Sequence, residues 1–263
     1  MAGFDRFREL HARDQLFLLP NPWDLGSAKI LAALGFEALA TTSAGFALAI
    51  GKTDQTVTRD ELVAHVADLA AATPLPLNVD SERLYPDDPG GVAETVAMLA
   101  DAGAAGCSIE DYDPASGRVD DVGAAAERVG AAAEASRGRL VLTARAENHL
   151  YAGGDLDDTI ARLVAYRDAG ADVVYAPGLT ELGDIRRVVE SVGVPVNVLA
   201  LPAGPSIGAL SDAGVRRVST GSGLARAAYG AFVTAVEELR DSGTSEYAAQ
   251  NLSSDRSDAM LSP

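Results

Sequence analysis

A (β/α)8 barrel is the fold class this sequence predicts, and three observations predict it. Eight short apolar runs rich in β-branched residues recur along the 263 residues. Each is too short for a helix and apolar throughout, as strands buried on both faces are. Segments rich in Ala, Leu and Arg with helical spacing separate them, the alternation that gives a parallel sheet covered by helices. The length also suits one barrel, which commonly takes roughly 250 residues.

The strand runs are Leu16–Trp23, Ala38–Ser43, Leu75–Glu82, Gly106–Asp111, Leu140–Asn148, Val173–Gly178, Pro195–Leu199 and Arg217–Gly221. Ahead of them, Phe4–Asp14 reads as a short amphipathic helix placed to cap the barrel floor. The crossover helices begin with Leu25–Leu34, closed by Gly35. Thr58–Ala72 opens with a capping box of Thr58 and Glu61. Pro89–Ala102, Val122–Ser136, Leu156–Ala169, Glu181–Val192 and the shorter Pro205–Ala213 follow. Ala225–Ser242 is a long last helix with an apolar stripe through Ala228, Phe232 and Val236. Residues 1–242 therefore read as a single barrel domain. Residues 243–263, rich in Ser, Asp and Asn, read as a polar, weakly ordered tail in which Glu246–Leu252 could form a helix against a neighbouring subunit.

Composition narrows the function classes. The hydrophobic share of 48% supports a sizeable core. The single cysteine, Cys107, excludes an intrachain disulfide and fits a reducing compartment; its apolar strand makes it a buried hydrophobe. No stretch approaches the roughly 20 apolar residues of a membrane span, and the N-terminus lacks a signal peptide's plan. A cytoplasmic location without membrane contact is the expectation. A net charge of −17 argues against nucleic acid as a partner.

Barrel chemistry belongs to the C-terminal strand ends, and there the suggestive residues gather. The third and fourth strands end in Asp80-Ser81-Glu82 and Glu110-Asp111. Residues two apart on a strand share a side, which groups Asp80 with Glu82. Several carboxylates around one mouth repel unless a cation neutralises them. Oxygen donors alone favour a hard ion, Mg2+ or Mn2+, that keeps several waters. Arg145 ends the fifth strand, where a guanidinium can clamp a substrate carboxylate or phosphonate, or pair with Glu110 or Glu147. Thr42-Ser43-Ala44-Gly45 offers hydroxyl and N–H groups suited to a small anion or an enolate oxygen. His149, just beyond the fifth strand, is the best placed of the three histidines for acid–base work, with Tyr112 and Tyr175 as alternative proton donors.

These residues also carry a resemblance. Asn21-Pro22-Trp23-Asp24 followed by Ser27-Ala28 is similar to the opening "P-x-x-W-D-x-x-S-A" of the isocitrate lyase/phosphoenolpyruvate mutase superfamily. Thr41 to Gly45, with Gly51 and Asp54 beyond, resembles its second-strand turn and aspartate. Asp80-x-Glu82 matches its "D-x-D/E" motif, Ile109-Glu110-Asp111 its "I-E-D", and Leu142 to Glu147 its "A-R-T-D" strand. The similarity spans about residues 16–230.

The resemblance implies a Mg2+-dependent barrel that makes or breaks C–C or P–C bonds of small 2-oxo or 2-hydroxy acids beside an enolate-type centre. It implies Asp80 as principal metal carboxylate, with Glu82, Glu110 and Asp54 on the metal or its waters. Thr42, Ser43 and Ala44 would hold the substrate carboxylate, and Arg145 would neutralise the oxyanion or leaving group. It also implies a homo-oligomer, dimer or tetramer, that exchanges the last helix between neighbours.

Departures from the family pattern direct the choice of reaction. Where family lyases carry a "K-K-C-G-H" gating loop, residues 111–119 read DYDPASGRV, without Cys, Lys or His. The usual glycine after the metal motif is replaced by Arg83-Leu84-Tyr85. Decarboxylation creates its carbanion without a general base, so it asks least of the altered loop. The expected function is cleavage of a C–C bond in a small oxo- or hydroxy-diacid. The alternatives are P–C chemistry with Arg83 or Arg118 on the phosphonate, and a barrel that binds an oxo-acid without turnover.

Overall fold

In the computed structural model, which describes residues 2–261, all eight apolar runs form strands of one parallel sheet. In chain order the strands are β1 Phe17–Leu19, β2 Leu39–Ala40, β3 Leu77–Val79, β4 Gly106–Glu110, β5 Tyr112–Asp113, β6 Arg118–Val119, β7 Val141–Arg145, β8 Val173–Tyr175, β9 Val196–Leu199 and β10 Arg217–Ser219. The helices are α1 Ala2–Ala12, α2 Leu25–Ala33, α3 Ser43–Ala49, α4 Arg59–Ala72, α5 Gly91–Asp101, α6 Val122–Ser136, α7 Asn148–Tyr151, α8 Leu156–Asp168, α9 Leu182–Val192, α10 Ile207–Asp212, α11 Gly223–Ser242 and α12 Ser254–Leu261. The fold is a (β/α)8 barrel. β5 and β6 stand apart as an antiparallel hairpin beyond β4; two-residue strands leave no periodic signal in a sequence.

The ladder runs β2-β3-β4-β7-β8-β9-β10-β1, and only the β1/β2 seam lacks one. Pro20, just past β1, has no N–H to offer a ladder. Its carbonyl instead accepts the Ala40 N–H at 3.0 Å. Asn21 completes the closure: its Nδ2 donates to the Thr41 carbonyl at 2.6 Å, and its Oδ1 accepts the N–H groups of Thr220 and Gly221 at 2.9 Å. A single amide thus stitches the ends of β1, β2 and β10.

Alternation along the strands separates two cores. Cys107 and Ile109 of β4 face the helices, whereas Ser108 between them lines the central cavity. Burial pushes the Cys107 thiol up to about 12, so it is an inert hydrophobe. Inside the barrel, Phe7 and Leu10 of α1, both 0% exposed, meet Phe17, Leu19, Ala40, Val141 and Val173 and plug the floor. Such fully buried side chains contribute about 1.5–3 kcal/mol each. The plug requires Gly106: a Cβ there would sit 2.7 Å from Phe7 Cε1 and 2.8 Å from Asn78 Oδ1.

α11 differs from the other long helices. Of its residues only Ala225 is buried, while Phe232 is 63% exposed and Val233, Val236 and Leu239 are exposed too. The stripe predicted from the sequence is present but does not lie on this barrel. Beyond Gly243, where composition predicts little order, the chain forms a 3-10 helix over Glu246–Gln250 and then α12, which packs on α2.

Candidate active site

A cavity of about 180 Å³ opens at the C-terminal strand ends, smaller than the roughly 300 Å³ floor of drug-sized pockets and scaled to a small acid. Thr42, Ser43, Ala44, Asp54, Asp80 and Arg145 all line it. Glu82 and Glu110 do not; they are buried behind it, 8% and 4% exposed. β3 ends at Val79, so strand alternation does not govern Asp80 and Glu82. The chain turns instead through left-handed backbone at Glu82 (φ 49°), Leu84 (φ 60°) and Tyr85 (φ 48°), which carries Glu82 away from the mouth. His149 does not line the cavity either. On the single turn of α7 its neighbours Leu150 and Tyr151 reach the cavity, while His149 packs by Gly154 and Gly178 with Nε2 buried and unpaired.

Arg145 is the hub. Its guanidinium pairs with Asp80 at 2.6 Å, Glu147 at 2.7 Å and Glu110 at 3.2 Å, and lies 5.3 Å from the centre of the Tyr175 ring. Arg145 thus pairs with Glu110 and Glu147, the second of its two sequence-level alternatives, and stands on the cavity wall. Asp80 is equally constrained: Oδ2 accepts the Ser43 N–H at 3.0 Å, and its own N–H donates to Thr41 Oγ1 at 2.8 Å. Thr42 caps α3 through the Gly45 N–H. Gly45 is required there, since a Cβ would lie 2.5 Å from Thr42 Cγ2 and 3.1 Å from Trp23 Cβ.

Five carboxylates, Asp54, Asp80, Glu82, Glu110 and Glu147, share this one guanidinium. Burial, then Asp80 and Asp54, push Glu82 up to about 8 against the pull of Arg145. Burial likewise raises Glu110 and Glu147 against Arg145, and burial with the Asp80 charge raises Asp54. Burial opposes the charge of Arg145 itself, but Glu147, Glu110 and Asp80 outweigh it and hold it protonated. The surplus of negative charge, with Glu82 Oε1 buried and unpaired, is the donor chemistry of a hard cation. Among the described residues no three acid, histidine or cysteine side chains form a closed metal cage. A hydrated Mg2+ needs only one or two carboxylates and keeps its waters, and the residues present fit that mode.

Two contributors, Gln55 and Arg217, escaped sequence reasoning, and others take roles that the sequence does not show. Gln55, in left-handed backbone at φ 64°, donates to Glu110 Oε1 at 3.0 Å. Strained backbone of this kind clusters at functional sites, yet a lone Gln gives no sequence signal. Asp111 holds the turn after β7 by accepting the Glu147 N–H at 2.8 Å, and is itself held by Tyr166 and Arg162. Arg83 does not reach the cavity: it clamps the hairpin through Asp113 at 3.0 Å and Asp120 at 2.8 Å. Arg118 is exposed on that hairpin. Tyr112 stacks on Tyr151 with ring centres 3.7 Å apart, roofing one side of the mouth. Arg217 lines the deepest part of the cavity; an arginine opening a β-branched strand was its only signal.

The phosphoenolpyruvate phosphomutase family model matches residues 7–240. The chain belongs to that family. It thereby falls in the isocitrate lyase/phosphoenolpyruvate mutase superfamily that its motifs resemble. A crystal structure from Burkholderia cenocepacia J2315, described provisionally as a lyase/mutase, has 47% identity and a TM-score of 0.94 over 100% of this chain and 96% of its own. The 2-methylisocitrate lyase of Halalkalibacterium halodurans is 27% identical over 94% of this chain and 85% of its own length. The oxaloacetate decarboxylase of Chromohalobacter salexigens is 27% identical over 94% and 88%. In this family member the W-D-x-x-S stretch is structural: Asp24 caps α2, accepting the Ser27 N–H at 2.7 Å while Ser27 Oγ accepts the Asp24 N–H at 3.1 Å. No helix among the described residues is long and apolar enough to cross a membrane.

Proposed function

We propose that this family member is a Mg2+-dependent lyase or decarboxylase that breaks a C–C bond of a small 2-oxo or 2-hydroxy dicarboxylate through an enolate. The observation that carries the reading is Arg145, which stands on the wall of a small cavity and pairs with Asp80 on that wall and with Glu110 and Glu147 behind it. The named activities of the relatives, a methylisocitrate lyase and an oxaloacetate decarboxylase, support it. Asp80 would hold the cation, with Asp54, Glu82 and Glu110 receiving its waters; Mn2+ suits the same oxygen donors. When bound, the ion acts as a Lewis acid toward the oxygen on which charge develops.

The chain's own residues account for the rest. The Ser43 N–H is taken by Asp80 and the Gly45 N–H by Thr42. The Ala44 N–H, in the first turn of α3 where no helical carbonyl reaches, is left for the substrate carboxylate, with the Thr42 and Ser43 side chains beside it. Arg145 faces the negative charge that forms as the bond breaks, the electrostatic role most costly to remove. In a decarboxylation the bond's electron pair stays on the substrate carbon as CO2 leaves, so no base is needed, and a proton must then reach that carbon. Tyr175 and Tyr151 line the cavity. Burial pushes both hydroxyls up, Tyr151 to about 12, so both hold protons to give. Tyr175, beside Arg145, takes the donor role in place of His149, which does not line the cavity. Arg83 and Arg118 lie outside the cavity, so the phosphonate reading would rest on Arg145 rather than on either of them.

Two further features belong to this reading. The exposed Phe232–Leu239 face of α11, and an apolar groove of Trp23, Ile30, Leu31 and Leu224 beside α2, suit a homo-oligomer in which neighbouring copies exchange α11. A single buried thiol suits the cytoplasm.

The test is pyruvate release from oxaloacetate, substituted malates, methylisocitrate and phosphonopyruvate, with Mg2+, with chelator, and in Arg145→Ala. The expected result is turnover of a C–C substrate that needs Mg2+ and falls on the order of 10²–10³-fold in the variant. Turnover of phosphonopyruvate alone, or metal-dependent binding of these acids without product, would replace the reading with one of its alternatives.

A further inference from the structure

Below the mouth the barrel interior is polar rather than apolar. Arg217, 2% exposed, crosses the interior from β10 and also lines the cavity. Its Nε donates to Asn197 Oδ1 at 2.9 Å, its Nη2 to Thr143 Oγ1 at 3.0 Å, and its Nη1 meets His11 Nε2 at 3.1 Å. All three partners are neutral. The His11 Nδ1 faces the Phe7 carbonyl at 2.8 Å, so Nδ1 carries the proton and Nε2 accepts. No carboxylate pairs with Arg217 among the described residues, although five crowd Arg145 above it. A buried charge without a counter-charge is among the costliest arrangements a core can hold, and a guanidinium serving only to fill the barrel would be cheaper as an apolar side chain.

The surroundings suit an anion. Three of the five guanidinium N–H groups are used by the contacts above, which leaves two. Asn78 on the cavity wall has Oδ1 buried without a hydrogen bond; turning that amide over would present its N–H pair instead. Ser108 and Ser219 add hydroxyls to the same wall. The site is deeper than Arg145: Thr143, which holds Nη2, precedes Arg145 by two residues on β7, roughly 7 Å of strand. A diacid of four or so carbons spans such a gap, whereas oxalate does not.

We propose that Arg217 forms a second anion subsite on the cavity floor, which takes the distal carboxylate of a dicarboxylate whose reacting end lies beside Arg145. The subsite sets the length and the second charge of the substrate, and it rests on the diacid reading above. Substrates with a neutral or apolar distal end leave the guanidinium uncompensated and are rejected.

Calorimetric binding of oxalate, succinate and succinamate with Mg2+ present, to the wild-type chain and to Arg217→Met, tests this. Succinamate keeps the length of succinate and loses one charge. The expected result is wild-type preference for succinate over succinamate of about thirtyfold or more, the scale of a buried charge pair, collapsing in Arg217→Met while oxalate affinity stays within about threefold. Should the variant fail to fold, the wild-type comparison decides alone: equal binding of succinate and succinamate, or binding of neither beside normal oxalate binding, overturns the subsite and leaves the active-site reading intact. A preference that survives in Arg217→Met overturns it too. Absence of oxalate binding to the wild type removes the diacid reading and this subsite with it.

Discussion

Arg145 shows how one side chain reconciles structure with chemistry. Replacing it strands Asp80, Glu110 and Glu147 in a buried site, and a lysine, a compact point charge without the planar fork, would not hold all three in this geometry. The position of Arg145, Asp80 and the Thr42–Ala44 turn on the cavity wall was legible because each sits where a strand ends. Sequence reasoning overreached with His149 and Glu82, which depend on how a single helical turn and a left-handed loop aim their side chains. His65 and His11 lie within helices away from the candidate site, yet their burial makes them sensitive to acid. His65, stacked on Phe46 at 3.7 Å, is held by burial at about 4, and His11, by burial and Arg217, at about 3. Both folded values lie below the unfolded value near 6.5, so the unfolded chain takes up the protons first. The share of stability that these two histidines contribute is present above pH 6.5 and drains away as pH falls toward 4, while Glu82, raised to about 8, works in the opposite sense. In thermal melts from pH 7.5 to 4.5, His65→Phe should lose less stability on acidification than the wild type; parallel slopes in the two proteins would remove His65 from the acid response.

At the scale of elements, the β5–β6 hairpin occupies the stretch 111–119, which holds no Cys, Lys or His. Arg83 grips Asp113 and Asp120, Arg128 pairs with Asp120 at 2.6 Å, and Arg162 donates to the Asp120 carbonyl at 2.8 Å. Three cations thus fasten a two-rung hairpin over the mouth, where Tyr112 stacks on Tyr151. Arg83→Met should speed amide exchange over residues 112–119 by about tenfold, equivalent to about 1.4 kcal/mol of local stability, with β4 unchanged. Equal exchange in both proteins would mean that Arg83 does not fasten the hairpin. The helices were the most legible elements: α6 spans the residues its periodicity predicts, and the Thr58–Glu61 capping box is present. The hairpin was not legible, because its clamps join Arg83 to residues about 30 positions away.

For the whole molecule, apolar runs alternating with helical segments were enough to predict the barrel, whose parallel strands are laddered everywhere but at the β1/β2 seam. The path of α11 was not, since an apolar stripe looks the same whether it docks on its own barrel or on a neighbour's. Its exposed Phe232 and Val236 argue for the neighbour. Light scattering after size exclusion should return a dimer or tetramer, and Phe232→Glu with Val236→Glu should shift it to monomer. A monomeric wild type would refute the exchange.

The most direct measurement is a calorimetric titration of oxalate into the wild-type chain and into Asp80→Asn, with and without Mg2+. Oxalate should bind only when Mg2+ and the Asp80 carboxylate are both present, losing at least about tenfold in affinity when either is removed. Binding that ignores metal and Asp80 alike would contradict a cation-dependent oxo-acid site at the mouth of this barrel.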